Sequence, residues 1–223
     1  PEVLFTTDST TLYLYIEKNQ TNNFDGFLGF GTNEESNKLE FDGYLDLQLV
    51  NNLNFGESLN LFYKSDEIDQ QTFRVDLNLP YLFKSPIGAE VGLSIFRKDS
   101  TFVNANQYAR INYQVNSQQT VAAGISFTNS SNLLDNNTNV LNDYTSNFFT
   151  LGYQFIRPQF YDPLFPINFL LDLNLGTGKR ENNIESLSQN RVTFNSYKIF
   201  NLNDRNSIFL RLNGAYLASD SYL

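Results

Sequence analysis

The residues of this chain that could do chemistry are charged, and they recur at every second position. From Lys38 to Leu49, Lys38, Glu40, Asp42, Asp46 and Gln48 share one parity, while Leu39, Phe41, Leu45, Leu47 and Leu49 hold the other. Arg74, Asp76, Glu90, Arg110, Asp172 and Arg211 continue the polar parity in later segments. Charges of both signs on one face can pair across neighbouring strands or remain solvated; residue types alone leave both open. Catalysis has less to work with. The chain has no His and no Cys, so the usual general base, thiolate and transition-metal ligand are missing, and a hydrolytic serine would lack its imidazole. Gly176-Thr177-Gly178-Lys179 has neither the spacing nor the following helix of a phosphate-binding loop. Asp66, Glu67 and Asp69 lack the ligand spacing of an EF-hand and read as a solvated acidic turn. The expectation is a protein that is not an enzyme and uses no cofactor and no metal.

A period of two with one wet face belongs to an antiparallel sheet, and it recurs to the end of the chain. The expected fold is all-β, with about eleven barrel-type strands. They lie near 24–32, 38–50, 58–64, 72–79, 89–95, 109–115, 121–127, 149–155, 169–175, 192–200 and 208–216. A shorter run, Leu12 to Glu17, comes before an Asn-rich joint at Asn19 to Asn23. Gly92, Gly124, Gly152 and Ser126 fall on the polar face, as suits a filled barrel interior. The aromatic residues Tyr81, Phe83, Phe148, Phe149, Phe160 and Tyr161 gather at strand ends, where a membrane girdle would lie. Connections are expected to alternate in length. Asn116–Gln119 and Asn201–Ser207 read as tight, and Asn129–Asn147 and Gly176–Asn190 as long, which matches the short periplasmic turns and long outer loops of outer-membrane barrels.

Composition bears on which solvent the apolar face meets. The 223 residues include 21 Phe and 13 Tyr but no Trp or Met, and the chain opens on Pro1, which reads as a processed or partial chain. A net charge of −9 and a pI near 4.5 disfavour nucleic acid and anionic membrane surfaces as partners. No stretch approaches a membrane helix. A mean hydropathy of −0.35 is low for a membrane protein, but half of each barrel strand faces a polar interior. A soluble sandwich also alternates apolar and polar residues, so alternation alone does not separate the two.

The segment Thr11 to Thr32 resembles the junction of the BamA/TamA-like outer-membrane assembly factors, Bacteroidetes-type members above all. In these a last periplasmic POTRA strand leads into the first barrel strand. The corresponding residues here are Leu12-Tyr13-Leu14-Tyr15-Ile16-Glu17, then Phe24-Asp25-Gly26 and Gly29-Phe30-Gly31. Pro80-Tyr81-Leu82-Phe83 is similar to a family turn, and Asp162-Pro163-Leu164-Phe165-Pro166 resembles its Asp-x-x-x-Pro periplasmic turn. The resemblance implies that residues 1–19 end a POTRA-like periplasmic domain. Residues 20–223 would then be the N-terminal part of a transmembrane β-barrel in the cell outer membrane. Family barrels have about sixteen strands, an even, closed set, and eleven would leave two unpaired edges against lipid. The remaining strands are therefore expected elsewhere, or the chain is a fragment. The family's Arg-Gly-Phe motif does not occur here.

The resemblance further implies insertion, assembly or translocation of outer-membrane proteins through a lateral gate. Phe24, Gly26, Gly29, Phe30 and Gly31 would form one half of the gate, because an open strand edge templates an incoming strand by main-chain hydrogen bonds. In a second reading these glycines only relieve crowding where the barrel bends. The implied lumen charges are Lys38, Glu40, Asp42, Asp46, Arg74, Asp76, Glu90, Arg110, Asp172 and Arg211. Implied partners are outer-membrane lipid, nascent outer-membrane or secreted proteins, periplasmic domains and accessory subunits. Two other classes stay open: a passive pore or membrane anchor of a larger, for example patatin-like, protein, and a soluble β-sandwich binding module.

Overall fold

The computed structural model describes residues 2–13, 15, 21–32, 39–66, 70–98, 101–133, 143–160, 162, 164–203 and 206–220, with the side chains of residues 39–41 and 66 outside that description. Two short strands, β1 (Glu2–Phe5) and β2 (Thr10–Tyr13), pair as an antiparallel hairpin. Of the Leu12–Glu17 run, only Leu12, Tyr13 and Tyr15 are described.

Eleven strands then form one sheet: β3 (Asn23–Thr32), β4 (Leu39–Val50), β5 (Ser58–Asp66), β6 (Gln70–Leu79), β7 (Ile87–Lys98), β8 (Phe102–Gln114), β9 (Gln119–Asn132), β10 (Tyr144–Pro158), β11 (Ile167–Asn182), β12 (Ser186–Asn203) and β13 (Asn206–Ser219). Each pairs antiparallel with its sequence neighbour, so the sheet is an unbroken meander from β3 to β13. Among the described residues β3 and β13 each have one neighbouring strand. The expected strand number is met.

The faces are inverted relative to a water-soluble sheet. In β9, Val121, Ala123, Ile125 and Phe127 are exposed while Ala122, Gly124, Ser126 and Thr128 are partly covered. Among the described residues, Phe148 and Ile199 are the buried hydrophobics, against Glu57, Ser65, Ser146, Gln159 and Gln189 as buried polar residues. A sandwich would bury its apolar face against a second sheet. One large sheet with its apolar face bare offers no such core, and the sandwich expectation is corrected on that ground.

The apolar surface also runs obliquely to the ladder. The row through Leu47 continues into Leu61, Val75 and Leu93, but then reaches Gln107, Phe127, Asn147 and Lys179. The row through Leu212 runs back through Ser196, Leu171 and Phe155 to Gln119 at the start of β9. An apolar band climbing across successive rows is what tilted, sheared strands produce when they cross a slab of fixed orientation. No described helix is long and apolar enough to cross a membrane.

Two expectations about connections need correction. Gly176–Asn190 is no long loop: β11 and β12 extend through it, and residues 183–185 alone turn the chain. A protruding hairpin is wet on both faces and needs no period-two contrast, so its composition reads as loop. Strict alternation in loop length also fails. Residues 67–69, 99–101 and 183–185 are short links at the end where long loops were expected, and 133–143 is the long one. The link at 115–118 is tight, as expected, and residues 204–205 separate β12 from β13.

Candidate functional site

The inner, polar wall gathers most of the charged residues singled out by sequence, but through amides and hydroxyls. Glu90 and Arg110 are register partners, yet each bonds an amide. Asn112 Nδ2 donates to Glu90 Oε1 at 2.6 Å. Arg110 Nη2 reaches across two strands to Asn174 Oδ1 at 3.3 Å. Its path is opened by Gly124 and Gly152, where an added Cβ would lie 3.2 Å from Arg110 Cβ and 3.0 Å from Asn174 Oδ1 respectively. Asn174 Nδ2 in turn donates to Asp172 Oδ1, and Gln154 Nε2 donates to Asp172 Oδ2 at 3.3 Å. Tyr108 donates to Asp76 Oδ1 at 2.9 Å. Arg211 Nε donates to Asn195 Oδ1 at 3.2 Å, and Asp42 accepts from Ser65 Oγ at 3.2 Å. Hydrogen bonds to charged groups are among the stronger ones, so the wall is braced as well as wet.

Asp46 stands opposite Asp25 on the same face, a repulsive placement eased by Tyr44, whose hydroxyl lies 3.2 Å from both Asp25 oxygens. Arg74 lies in the same row, between Phe62 and Ser94. Lys38 and the side chain of Glu40 lie outside the described residues. Toward the 133–143 end, Arg180 stacks over Tyr144 at 4.1 Å and Arg191 over Phe148 at 4.8 Å. Phe148 therefore belongs to the inner wall, not to an outer girdle; Phe149, Phe160, Tyr81 and Phe83 are exposed, and Tyr161 is outside the described residues.

The β3 edge separates the two readings of its glycines. A Cβ at Gly26 would come within 2.9 Å of the Tyr44 carbonyl, so this glycine answers to close backbone approach. The opposite strand contributes Gly43, whose φ of +121° also requires glycine. At Gly29 the nearest atom would be 3.7 Å away, and at Gly31 nothing described comes within 4 Å. Crowding accounts for Gly26 and leaves Gly29 and Gly31 unexplained. Phe24 and Phe30 are 66% and 80% exposed.

The turns have built-in order. Pro80-Tyr81-Leu82-Phe83 enters a single 3-10 turn at Leu82–Lys84, with Phe83 at φ 55°. Asp162 Oδ1 accepts from the Leu164 and Phe165 amides at 3.0 and 3.3 Å, and Pro166 O accepts from Gln159 N at 2.9 Å. Pro163 is outside the described residues. The β4–β5 turn closes on Glu57, whose carboxylate accepts the Leu53 amide and, at 3.0 Å, the Phe55 amide. The Leu53 N–H does most to hold the Glu57 carboxyl below its ordinary value; burial pulls the other way, and Phe55 adds to the lowering. No described group of acidic residues could hold a metal ion.

Tyr108 was missed as a wall residue, while Asn112 and Asn174 fall on the polar parity of their strands but were not singled out beside the charges. The signal for Tyr108 was present: the alternation of β8 extends back past Ala109, which puts an aromatic hydroxyl at the parity of Arg110.

Two solved structures are similar to this chain. The crystal structure of BamA from Haemophilus ducreyi lacking POTRA domains 1–3 matches 89% of this chain and 46% of its own, with a TM-score of 0.50 and 12% identity. CdiB from Acinetobacter baumannii matches 91% of this chain and 45% of its own, with a TM-score of 0.49 and 15% identity. The chain thus spans less than half the length of either, and at such identity the likeness to BamA is one of fold. No protein-family model and no curated protein matches the sequence.

Proposed function

We propose that this chain is the N-terminal part of an outer-membrane β-barrel that inserts, assembles or translocates other proteins at the β3 edge, without catalysis. The observation that carries the reading is β3 itself. Gly29 and Gly31 meet no described atom that would exclude a side chain, and Phe24 and Phe30 are bare on its outward face. A weakly packed edge can accept a strand through its main chain. Membrane placement is supported by the oblique apolar band. The β1–β2 hairpin is read as the end of a POTRA-like periplasmic domain, and the partners as outer-membrane lipid, nascent outer-membrane or secreted proteins and accessory subunits.

A photo-crosslinking residue at position 30, compared with one at Ile95 on the same face of β7, tests this in the full-length protein. Capture of an unfolded outer-membrane protein from position 30 alone is expected. Equal capture from both positions, or from neither, would remove β3 as a gate. A passive pore or anchoring barrel would share the polar wall, but it gives the β3 edge no role and predicts the second result.

A further inference from the structure

Arg157, Phe169, Lys198 and Leu210 stand side by side on the outward face of β10–β13. Their neighbours on that face include Phe155, Leu171 and Phe200. Cations on a lipid-facing surface are costly at depth and tolerable where they reach the interface or meet an anion. Neither has a carboxylate partner among the described residues.

Lys198 is positioned by a built polar cluster. The register shifts between Arg157 and Pro158, which leaves Asn168 as an extra residue in β11. Its Nδ2 donates to Ile199 O at 3.1 Å and to Gln159 Oε1 at 2.9 Å. Gln159 is 6% exposed, donates to Phe165 O at 2.6 Å and accepts from Asn201 at 3.2 Å. With both amide protons of Asn168 committed, its Oδ1 is turned to the Lys198 ammonium, which donates to it. That takes one of three ammonium donors. Arg157, Pro158, Gln159, Phe160, Asn168 and Lys198 together line a groove of about 600 Å3, with Phe160 95% exposed at its rim.

We propose that this groove binds the phosphate of an anionic phospholipid in the leaflet at the β10–β11 turn, with Arg157 and Lys198 as the charge pair and Phe160 seated at the headgroup level. Basic residues beside an aromatic at the membrane boundary suit that ligand, and the groove volume suits a small headgroup. The chain as a whole carries −9, so attraction for an anion has to come from this local pair. The site rests on the membrane placement of the apolar band.

The test uses full-length protein in nanodiscs of phosphatidylcholine, with or without phosphatidylglycerol, and counts retained lipid by native mass spectrometry. Phosphatidylglycerol retention should exceed that of phosphatidylcholine and weaken about fivefold for each cation removed in Arg157→Gln and Lys198→Gln. Lys198→Arg should restore it, and Arg211→Gln on the inner wall should leave it unchanged. Retention that ignores headgroup charge, or survives the double variant, would overturn the site while leaving the barrel reading intact. Full displacement by millimolar inorganic phosphate would assign the groove to free phosphate instead. Failure of the wild type to enter nanodiscs would defeat the membrane placement and the site with it.

Discussion

Tyr108 of β8 donates to Asp76 of β6 at 2.9 Å, across the strand between them, because the intervening residue on β7 is Gly92. A Cβ at that position would lie 2.1 Å from Tyr108 Cε1 and 2.8 Å from Asp76 Oδ1. The glycine is a gap in the inner wall that one ring fills. Gly92→Val should displace the ring and destabilise the folded sheet by about 1–3 kcal/mol, and Tyr108→Phe by about 1.5 kcal/mol. Urea unfolding in detergent reads both. The two changes remove the same bond, so the double variant should cost less than the sum; strict additivity would mean that the ring and the gap act separately.

Strand number and the alternation of faces were readable because a sheet with one apolar and one polar face keeps period two along most of its strands, here from Leu47 through Val75 and Ile125 to Leu212. Details that depend on strand-to-strand geometry were not. The Gly176–Asn190 hairpin looked like a loop, because its Gly, Asn and Lys content is turn-like and its strands come from ladder bonds alone. Phe148 looked like a girdle residue beside Phe149, although neighbours in a strand must point to opposite faces. Lys198 lies on the same face of β12 as Ser196 and Phe194, where polar and apolar residues are mixed, and its role depends on a bulge at Asn168 that only pairing reveals.

Glycines of the first sheet strand should differ in what they tolerate. Gly26→Val drives a side chain against the fixed Tyr44 carbonyl, 2.9 Å from the new Cβ, and should cost about 1–3 kcal/mol. Gly29→Val meets only an ordinary contact, 3.7 Å from its Cβ to the Asp42 carbonyl, and Gly31→Val meets no described atom within 4 Å; both should be neutral or stabilising by about 0.5–1 kcal/mol. If those two variants fold well but impair handling of client proteins, their glycines serve edge pliancy. Unimpaired clients would leave Gly29 and Gly31 without a part in the gate.

Outward and inward positions on one strand should respond oppositely to charge. Leu47→Arg or Leu93→Arg puts a cation on the apolar band, at about 2–4 kcal/mol near the midplane, and should block heat-modifiable assembly on semi-native gels. Asp46→Arg and Ser94→Arg add charge to the polar wall and should assemble. Normal assembly of the two leucine variants would reverse the assigned faces.

The β4–β5 turn should respond to acid through Glu57. Its carboxyl is held below the ordinary value of 4.5 in the folded state, first by the Leu53 amide. A group with a depressed folded pKa stabilises above its unfolded pKa, and that contribution is lost as pH falls through the folded value. Wild type should therefore melt above Glu57→Gln at neutral pH. The gap should close as pH falls below 4.5 and through the lowered folded value, with faster exchange of the Leu53 and Phe55 amides as it closes. A gap that stays constant with pH would mean that the carboxylate charge plays no part in holding the turn, and that any loss in the variant comes from packing alone.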